Sequence, residues 1–321
     1  MRRIVYHPYF RGKQFELIAI RETADLIANS GFTPIIEPVR ESLGGLEKAL
    51  RAIANAGAQA VVVINPRYGD HRGDGESIEA LLEQDHRDND AICPGILLTS
   101  DTSARQVADQ LARHQKQGTT LIHAGYPDAR GLVGLISEQP AMLRHVFIDS
   151  QTNMLYRRHF NSATRVLVGD GFVQMKNADY QPVDMFSDLH VTYRDRGMNG
   201  YGDFLTVGDN YSEGGGPAYA VAIHLTYIDP EQDDAMFVYH FKSDSNDTPT
   251  DPAGKFSQAL EKLIYRLDEG DSNLLNTSAV REFRDLYERG HFPGLGYVKK
   301  LSIKHHLETL SDYHASHTYA Q

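Results

Sequence analysis

The sequence predicts an α/β protein of the (β/α)8 type, a TIM-like barrel in which parallel strands alternate with helices. In the first half of the chain, a short apolar run repeatedly ends at a polar residue and is followed by a helical stretch. Successive end residues are 24 to 34 positions apart, and a strand, a crossover helix and their loops need about that much chain. The end residues are Glu37, Asn65, Thr99, His123 and Asp149.

The first two units follow from apolar spacing and helix signals. A strand is predicted over 3–6, and a helix over 13–29 has its apolar residues at a spacing that buries one face. Gly31 is a helix stop. The second unit begins with a strand over 32–39, and Ser42 is predicted to cap its helix.

Four further units show the same order of strand and helix. Their predicted strand and helix pairs are 60–64 and from 77, 92–99 and 103–115, 120–123 and 129–138, and 145–149 and 154–163. Six such units with one or two later strands fit a closed barrel. The rival fold is an open doubly wound sheet, which favours a glycine-rich fingerprint after an early strand. This chain has no such fingerprint.

The repeat loosens after the sixth unit, where the sequence predicts an irregular glycine-rich insertion and a hairpin. Residues 189–193 alternate like a strand, and the runs 219–227 and 236–242 flank an acidic turn as in a β-hairpin. The expected organisation is one domain over 1–321, with an insertion at 195–235 that is a lid or a docking hairpin, helices at 253–268, 277–288 and 303–314, and a C-terminal helical extension over 290–321.

Composition excludes some classes of protein. The formal net charge of −11 argues against binding duplex DNA through bulk charge. Cys93 is the only cysteine, so no disulfide forms within the chain, and a free cysteine of this kind is usually a buried packing residue. No apolar stretch approaches the roughly 20 residues that span a bilayer, and the first residues do not read as a signal peptide. We therefore expect a cytoplasmic protein that does not bind membranes.

If the barrel closes, the residues that follow its strands meet at one rim, where such barrels hold their ligands. Glu37, His123 and Asp149 are the candidate catalytic residues, as acid, base or metal ligand. Most other candidates are cationic, and a concave cationic site attracts a phosphate or a carboxylate. These ligand-binding candidates are His7, Arg11, Lys13, Arg40, Asn65, Arg67, Tyr193, Arg194, His240 and Lys242.

Other interpretations of the same residues stay open on sequence alone. The arginines can instead pair with nearby acids such as Asp70 and Asp195 on a solvated rim. An aspartate after a strand, such as Asp149, often only caps the next turn. A divalent metal ion is allowed by the ligand types at the rim, although they form no local ligand motif. The chain has neither a nucleophile elbow nor a P-loop.

Several motifs resemble a bacterial family named by locus tag and related to the phage Beta protein group. They are Pro8-Tyr9, Arg11-Gly12-Lys13, Glu16-Leu17, Pro34-Ile35-Ile36-Glu37-Pro38, Val63-Ile64-Asn65, Phe147-Ile148-Asp149 and Tyr201-Gly202-Asp203-Phe204. The resemblance implies a protein of phage or mobile-element context that is often encoded beside a putative nuclease. It also implies a role in antiviral defence within a protein complex, and it carries over no catalytic residues.

Two functional hypotheses follow. In the first, the chain is a subunit of a phage-defence or mobile-element system, and its barrel binds an anionic, phosphate- or nucleotide-like ligand or a partner protein, such as the neighbouring nuclease. In the second, it is a TIM-barrel enzyme that acts on a phosphorylated or nucleotide substrate, with or without a divalent metal. The second hypothesis depends only on analogy with other (β/α)8 barrels, most of which are enzymes. An oligomer is compatible with either.

Overall fold

The computed structural model describes residues 5–86, 90–114, 118–137, 143–214, 216 and 218–317. The chain forms two compact units. The barrel unit comprises Met1–Asp170 and Thr192–Phe204, and the second unit comprises Gly171–Val191 and Leu205–Gln321. The chain therefore leaves the barrel unit after Asp170, returns to it for Thr192–Phe204, and leaves it again to complete the second unit.

Strands and helices are numbered here in chain order. The strands are β1 (Tyr9–Phe10), β2 (Ile35–Ile36), β3 (Ala60–Val63), β4 (Ile92–Thr99), β5 (Thr119–Ala124), β6 (Leu143–Ile148), β7 (Thr164–Gly169), β8 (Val183–Ser187), β9 (Gly200–Asp203), β10 (Ala222–Asp229) and β11 (Ala235–Lys242). The α-helices are α1 (Gln14–Glu22), α2 (Ala24–Ser30), α3 (Gly44–Asn55), α4 (Glu76–His86), α5 (Ala104–Arg113), α6 (Ala129–Ile136), α7 (Met154–Arg157), α8 (Leu189–Thr192), α9 (Pro252–Glu269), α10 (Ser278–Glu288) and α11 (Leu295–His317).

The barrel unit contains one sheet of eight parallel strands in the order β1 to β7 and then β9. The segment before β1 closes the ring against β9. The backbone N–H of His7 donates to the carbonyl of Tyr201 (2.8 Å), and the N–H of Tyr201 donates to the carbonyl of Val5 (2.8 Å). The predicted (β/α)8 class is confirmed.

The apolar alternation of the strands explains how the barrel is filled. Every second residue of a strand points to the same face, and the inward-facing residues form one buried cluster. Its members are Tyr9, Ile35, Val61, Val63, Leu97, Ile122, Ala124, Val146, Ile148, Val166, Val168 and Phe204. Residues of the opposite face, such as Ile36, Val62 and Leu121, are also fully buried, as expected of a parallel sheet covered by helices.

Some local predictions are wrong for identifiable reasons. The helix predicted over 13–29 is two helices that meet at Thr23, whose hydroxyl donates back to the carbonyl of Ala19 (2.8 Å). Ser42 does not cap α3, because Leu43 occupies the N-cap position without a side-chain hydrogen bond. The strand predicted over 189–193 is the short helix α8. Five alternating residues are too few to separate a strand from one helical turn.

Other boundaries agree closely with the sequence. Helix α5 begins after Ser103, whose side chain and that of Gln106 form a reciprocal capping box. Gly31 ends α2 with a left-handed backbone. Parts of four predicted elements lie outside the described residues. These parts are residues 3–4 of the first strand, residues 115 and 138 at two helix ends, and residues 318–321 of the C-terminal extension.

The second unit contains a three-stranded antiparallel sheet in the order β10, β11, β8. The predicted hairpin is confirmed, with β10 and β11 paired from Ala222 opposite Lys242 to Asp229 opposite Ala235. Helices α9, α10 and α11 share one apolar core with this sheet. The longest helix, α11, has 23 residues, and no helix among the described residues has an apolar stretch fit to span a bilayer.

Closure of the barrel depends on a close backbone approach at Gly202. A Cβ atom at this position would lie 2.1 Å from the carbonyl oxygen of His7, so any larger side chain pushes β9 away from the segment that closes the ring. We expect Gly202→Ala to lower the free energy of unfolding by about 1–3 kcal/mol, as overpacking does. Urea unfolding measures this change.

The control for this prediction is Gly134→Ala, since Gly134 lies within α6 and a Cβ there would meet nothing within 4 Å. That variant is expected to gain about 0.5–1 kcal/mol, because glycine is a poor helix residue. Equal stability of the two variants would contradict the role of Gly202 in closure.

Candidate functional site

Glu37 is the centre of a polar cluster at the carboxyl-terminal end of the barrel strands. It lies two residues beyond Ile35, so its side chain points into the barrel, where it is fully buried. Its Oε2 accepts hydrogen bonds from the Tyr9 hydroxyl (2.8 Å) and from the Arg11 guanidinium. Its Oε1 accepts one from the backbone N–H of Arg67 (2.8 Å). Both carboxylate oxygens are thus occupied.

Two guanidinium groups stack on one aromatic ring beside this carboxylate. The Tyr68 ring centroid is 5.0 Å from the Arg11 guanidinium carbon and 4.8 Å from that of Arg67. Arg11 also lies over the rings of Tyr9 (4.9 Å) and Phe204 (5.2 Å). Aromatic faces attract cations without neutralising them, so the stack holds the two arginines in place and keeps their charges.

Arg67 is the member of this cluster whose charge is not balanced. Its Nη1 donates to the side-chain oxygen of Gln151 (3.0 Å), which is a neutral acceptor. Within the described residues it forms no ion pair, and its buried Nε has no hydrogen-bond partner. The Glu37 carboxylate pairs with the Arg11 guanidinium and accepts only from the backbone N–H of Arg67, so the three side chains have a net charge of +1.

Asn65 and Asp149, which also follow strands, make different contacts. The Asn65 amide extends the sheet beyond β3, since it accepts from the N–H of Leu97 (2.7 Å) and donates to its carbonyl (2.9 Å). Asp149 forms ion pairs with Arg157 (2.9 Å) and Arg196 (3.5 Å). Asp149 therefore holds two arginines and is partly exposed.

His123 lies on the other face of the sheet from Glu37. Its neighbour Ile122 points into the barrel, so His123 points outward, and it is fully buried there. Its Nε2 contacts Nδ1 of His145 (2.9 Å), and its Nδ1 contacts the hydroxyl of Tyr156 (2.8 Å). Burial, and then the nearby His145, hold the pKa of His123 well below the usual range. The structure does not bring His123 together with Glu37.

The predicted ligand-binding residues fall in separate places. Arg11 and Arg67 belong to the cluster around Glu37, Lys13 is the N-cap of α1, and Arg40 is exposed beyond β2. Three others lie at the opposite, amino-terminal end of the strands, where they line one cavity. These are His7, Tyr193 and Arg194.

The last two predicted residues, His240 and Lys242, lie on β11 in the second unit. His240 contacts Asp184 through Nε2 (3.3 Å) and His224 through Nδ1 (2.7 Å). Burial lowers the pKa of His240 to about 4. The Lys242 ammonium donates to the backbone carbonyls of Ala178 (3.0 Å) and Tyr180. Lys242 thus joins β11 to the segment before β8.

No set of three His, Cys, Asp or Glu side chains able to hold a metal ion occurs among the described residues.

Sequence reasoning missed Tyr9, Tyr68, Gln151 and Arg157 as members of the rim. Tyr9 was detectable, because it precedes Arg11 by two residues and shares its strand face. Gln151 left no signal in the sequence, since its contact with Arg67 joins residues 84 positions apart.

Comparison with known proteins does not assign this chain to a family. No protein-family model and no curated protein matches the chain. The class of the protein is therefore given by its fold, a (β/α)8 barrel with a second unit in which helices share a core with an antiparallel sheet.

Proposed function

We propose that this protein is a ligand-binding (β/α)8 barrel whose carboxyl-terminal rim binds an anionic, phosphate-bearing small molecule through Arg67. One observation carries the proposal. The Arg67 guanidinium is oriented by Tyr68 and Gln151 yet has no carboxylate partner among the described residues. A half-buried cation of this kind gains most from an anion with several acceptor oxygens, and phosphate fits the planar donors of arginine well.

The neighbouring side chains have supporting roles in this proposal. Glu37 fixes the backbone of Arg67 and neutralises the charge of Arg11. The repulsion between the two guanidinium groups is therefore reduced. The Tyr68 ring contacts both guanidiniums, and this cation–π contact favours the observed position of Arg67. Because Glu37 has no unoccupied oxygen and His123 faces away, the geometry supports binding rather than acid–base catalysis at this rim.

Replacement of Arg67 tests the proposal directly. We expect Arg67→Gln to weaken the binding of ATP or inorganic phosphate at least about tenfold, because a charged hydrogen bond contributes roughly 1.5–3 kcal/mol. Isothermal titration calorimetry at low ionic strength measures the dissociation constants. Arg67→Lys keeps the charge without the planar donors, so we expect an intermediate affinity.

The matched control is Arg105→Gln, which removes a cation from the surface of α5 where the side chain is 90% exposed. This variant is expected to bind as the unmodified protein does. If Arg67→Gln and Arg105→Gln lower the affinity equally, general charge explains the binding, and the rim is not the site.

The wider setting of this activity is also a proposal, supported by the family resemblance and not by the geometry. The barrel would serve as the ligand-sensing subunit of a phage-defence or mobile-element system, in a complex with the product of a neighbouring nuclease gene. Plating efficiency of phage on cells that carry the complete gene cluster tests it. Protection that requires the barrel gene, and that Arg67→Gln weakens, is the expected result; full protection without the barrel gene contradicts it.

A further inference from the structure

A second cavity lies at the amino-terminal end of the barrel strands, opposite the Glu37 rim. Its volume is about 990 Å³, which is at the upper end of the range for small-molecule sites. Most barrel interiors are packed with branched apolar side chains. Here Thr120, Arg144 and Thr164 sit side by side in register on β5, β6 and β7, at the amino-terminal end of the inward-facing layer.

Arg144 is the main charged group of this cavity. It lies two residues before the inward-facing Val146 and lines the cavity. It forms no hydrogen bond and no ion pair with any side chain or carbonyl in the part of the chain that the structure describes. Burial lowers the pKa of its guanidinium, yet arginine remains charged at neutral pH. The side chain is half-buried, so its charge is partly withdrawn from water without an anionic partner, which is unfavourable.

His7 is the second group without a partner. It is 1% exposed and lines the same cavity, and neither ring nitrogen makes a hydrogen bond of normal geometry with the described residues. A side chain at Gly200 would press on this ring, at 3.4 Å. Burial, and then the charge of Arg144, hold the pKa of His7 well below its usual range. The ring is therefore neutral and offers one N–H donor.

The rest of the lining combines polar and apolar groups. Leu143, Val166 and Met198 supply apolar surface. Asp90 and Arg194 also line the cavity, and their opposite charges cancel. With Arg144, the lining therefore has a net charge of +1. The lining thus provides a cation and hydrogen-bond donors beside an apolar wall.

We propose that this cavity binds an organic anion, with Arg144 and the His7 ring bound to its charged group and its apolar body against Leu143, Val166 and Met198. The amino-terminal end of a barrel ordinarily serves stability. A role in stability alone would favour a hydrogen-bond partner for the His7 ring, whose two nitrogens are buried without one among the described residues. A ligand anion supplies acceptors for both.

The only cysteine of the chain provides a reporter for this cavity. Cys93 lines it and is half-buried, while the Glu37 rim has no cysteine. Modification of Cys93 by iodoacetamide at pH 8, followed by intact mass, therefore reports occupancy of the amino-terminal cavity and not of the rim. Phenyl phosphate and benzoate serve as anionic probes, and phenol serves as their uncharged counterpart.

We expect either anion, but not phenol, to slow the modification of Cys93 at least threefold in the unmodified protein. This comparison needs no variant. Protection equal to that by phenol, or none from either anion, would overturn the proposal. If Cys93 does not react with iodoacetamide, calorimetric titration of phenyl phosphate replaces the modification assay. The absence of binding, or binding no tighter than that of phenol, then overturns the proposal.

Two variants separate this site from the rim. Arg144→Gln is expected to lose protection and to weaken the binding of the anions at least tenfold, while exposed Arg130→Gln on α6 serves as its control. Arg67→Gln is expected to leave protection unchanged. Loss of protection in Arg67→Gln with retention in Arg144→Gln would overturn the inference, whatever the fate of the proposed function. Circular dichroism confirms that each variant is folded.

Discussion

Acidification from pH 6.5 to 4 is expected to remove several kcal/mol from the free energy of unfolding. Burial lowers the pKa of His145, His240 and His305 to about 4 in the folded protein, whereas an unfolded histidine titrates near 6.5. The unfolded chain therefore binds more protons across this window, and stability falls as the pH falls. His145 and His305 each contribute on the order of 3 kcal/mol, fully present above pH 6.5 and lost by pH 4. His240 contributes less, because it contacts the partly exposed carboxylate of Asp184.

The environment of His305 shows why its neutral form is favoured. Its Nε2 donates to the carbonyl of Thr226 (2.7 Å), so the neutral ring keeps Nδ1 as an acceptor for the hydroxyl of Thr277 (2.9 Å). That hydroxyl in turn accepts from the N–H of Val280 at the start of α10 (3.1 Å). Protonation of Nδ1 removes the acceptor of the Thr277 hydroxyl hydrogen, and the resulting charge is fully buried.

Urea unfolding at pH 7.0, 6.0 and 5.0 measures the effect where few carboxylates titrate. His305→Gln is expected to be less stable at pH 7, and its further loss on acidification is expected to be smaller than that of the unmodified protein. His291→Gln changes an exposed histidine and is expected to keep the original pH dependence. A free energy of unfolding that is constant between pH 7.0 and 5.0 would show that these histidines are not held neutral.

Glu37→Gln is expected to be among the most destabilising single changes in the barrel. The variant keeps the shape of the side chain but leaves the Arg11 guanidinium, which is 6% exposed, without its carboxylate. Breaking a buried ion pair by removing one partner costs about 3–5 kcal/mol. Tyr9 and the N–H of Arg67 also lose a charged acceptor. The midpoint of urea unfolding and its slope give the change in free energy.

The matched control is Glu47→Gln, which breaks a pair with the largely exposed Arg51 on α3. Surface pairs of this kind contribute about 0–1 kcal/mol, so a small change is expected. The double variant Arg11→Met with Glu37→Gln removes both charges, and it is expected to be more stable than the sum of the single changes implies. Strict additivity would mean that the two residues act independently.

The sites were only partly predictable from the sequence. The rule that strand ends meet at one rim brings Arg11, Glu37 and Arg67 together correctly, since all three follow strands of the first three units. The same rule cannot place His123, because one residue of register decides whether a side chain points into the barrel or away from it. His7 precedes β1, so it lies at the opposite end of the strand from Arg11.

The order of strands and helices, and therefore the barrel class, was determined by the sequence itself, because apolar periodicity and chain length act locally and repeat along the chain. Tertiary structure decided the rest. Glu37 meets the backbone of residue 67, Arg67 meets residue 151, and β9 closes on a segment almost two hundred residues earlier. Such contacts depend on the register between neighbouring strands and on closure of the barrel. Both depend on residues that are far apart in the chain, so no local sequence pattern specifies these contacts.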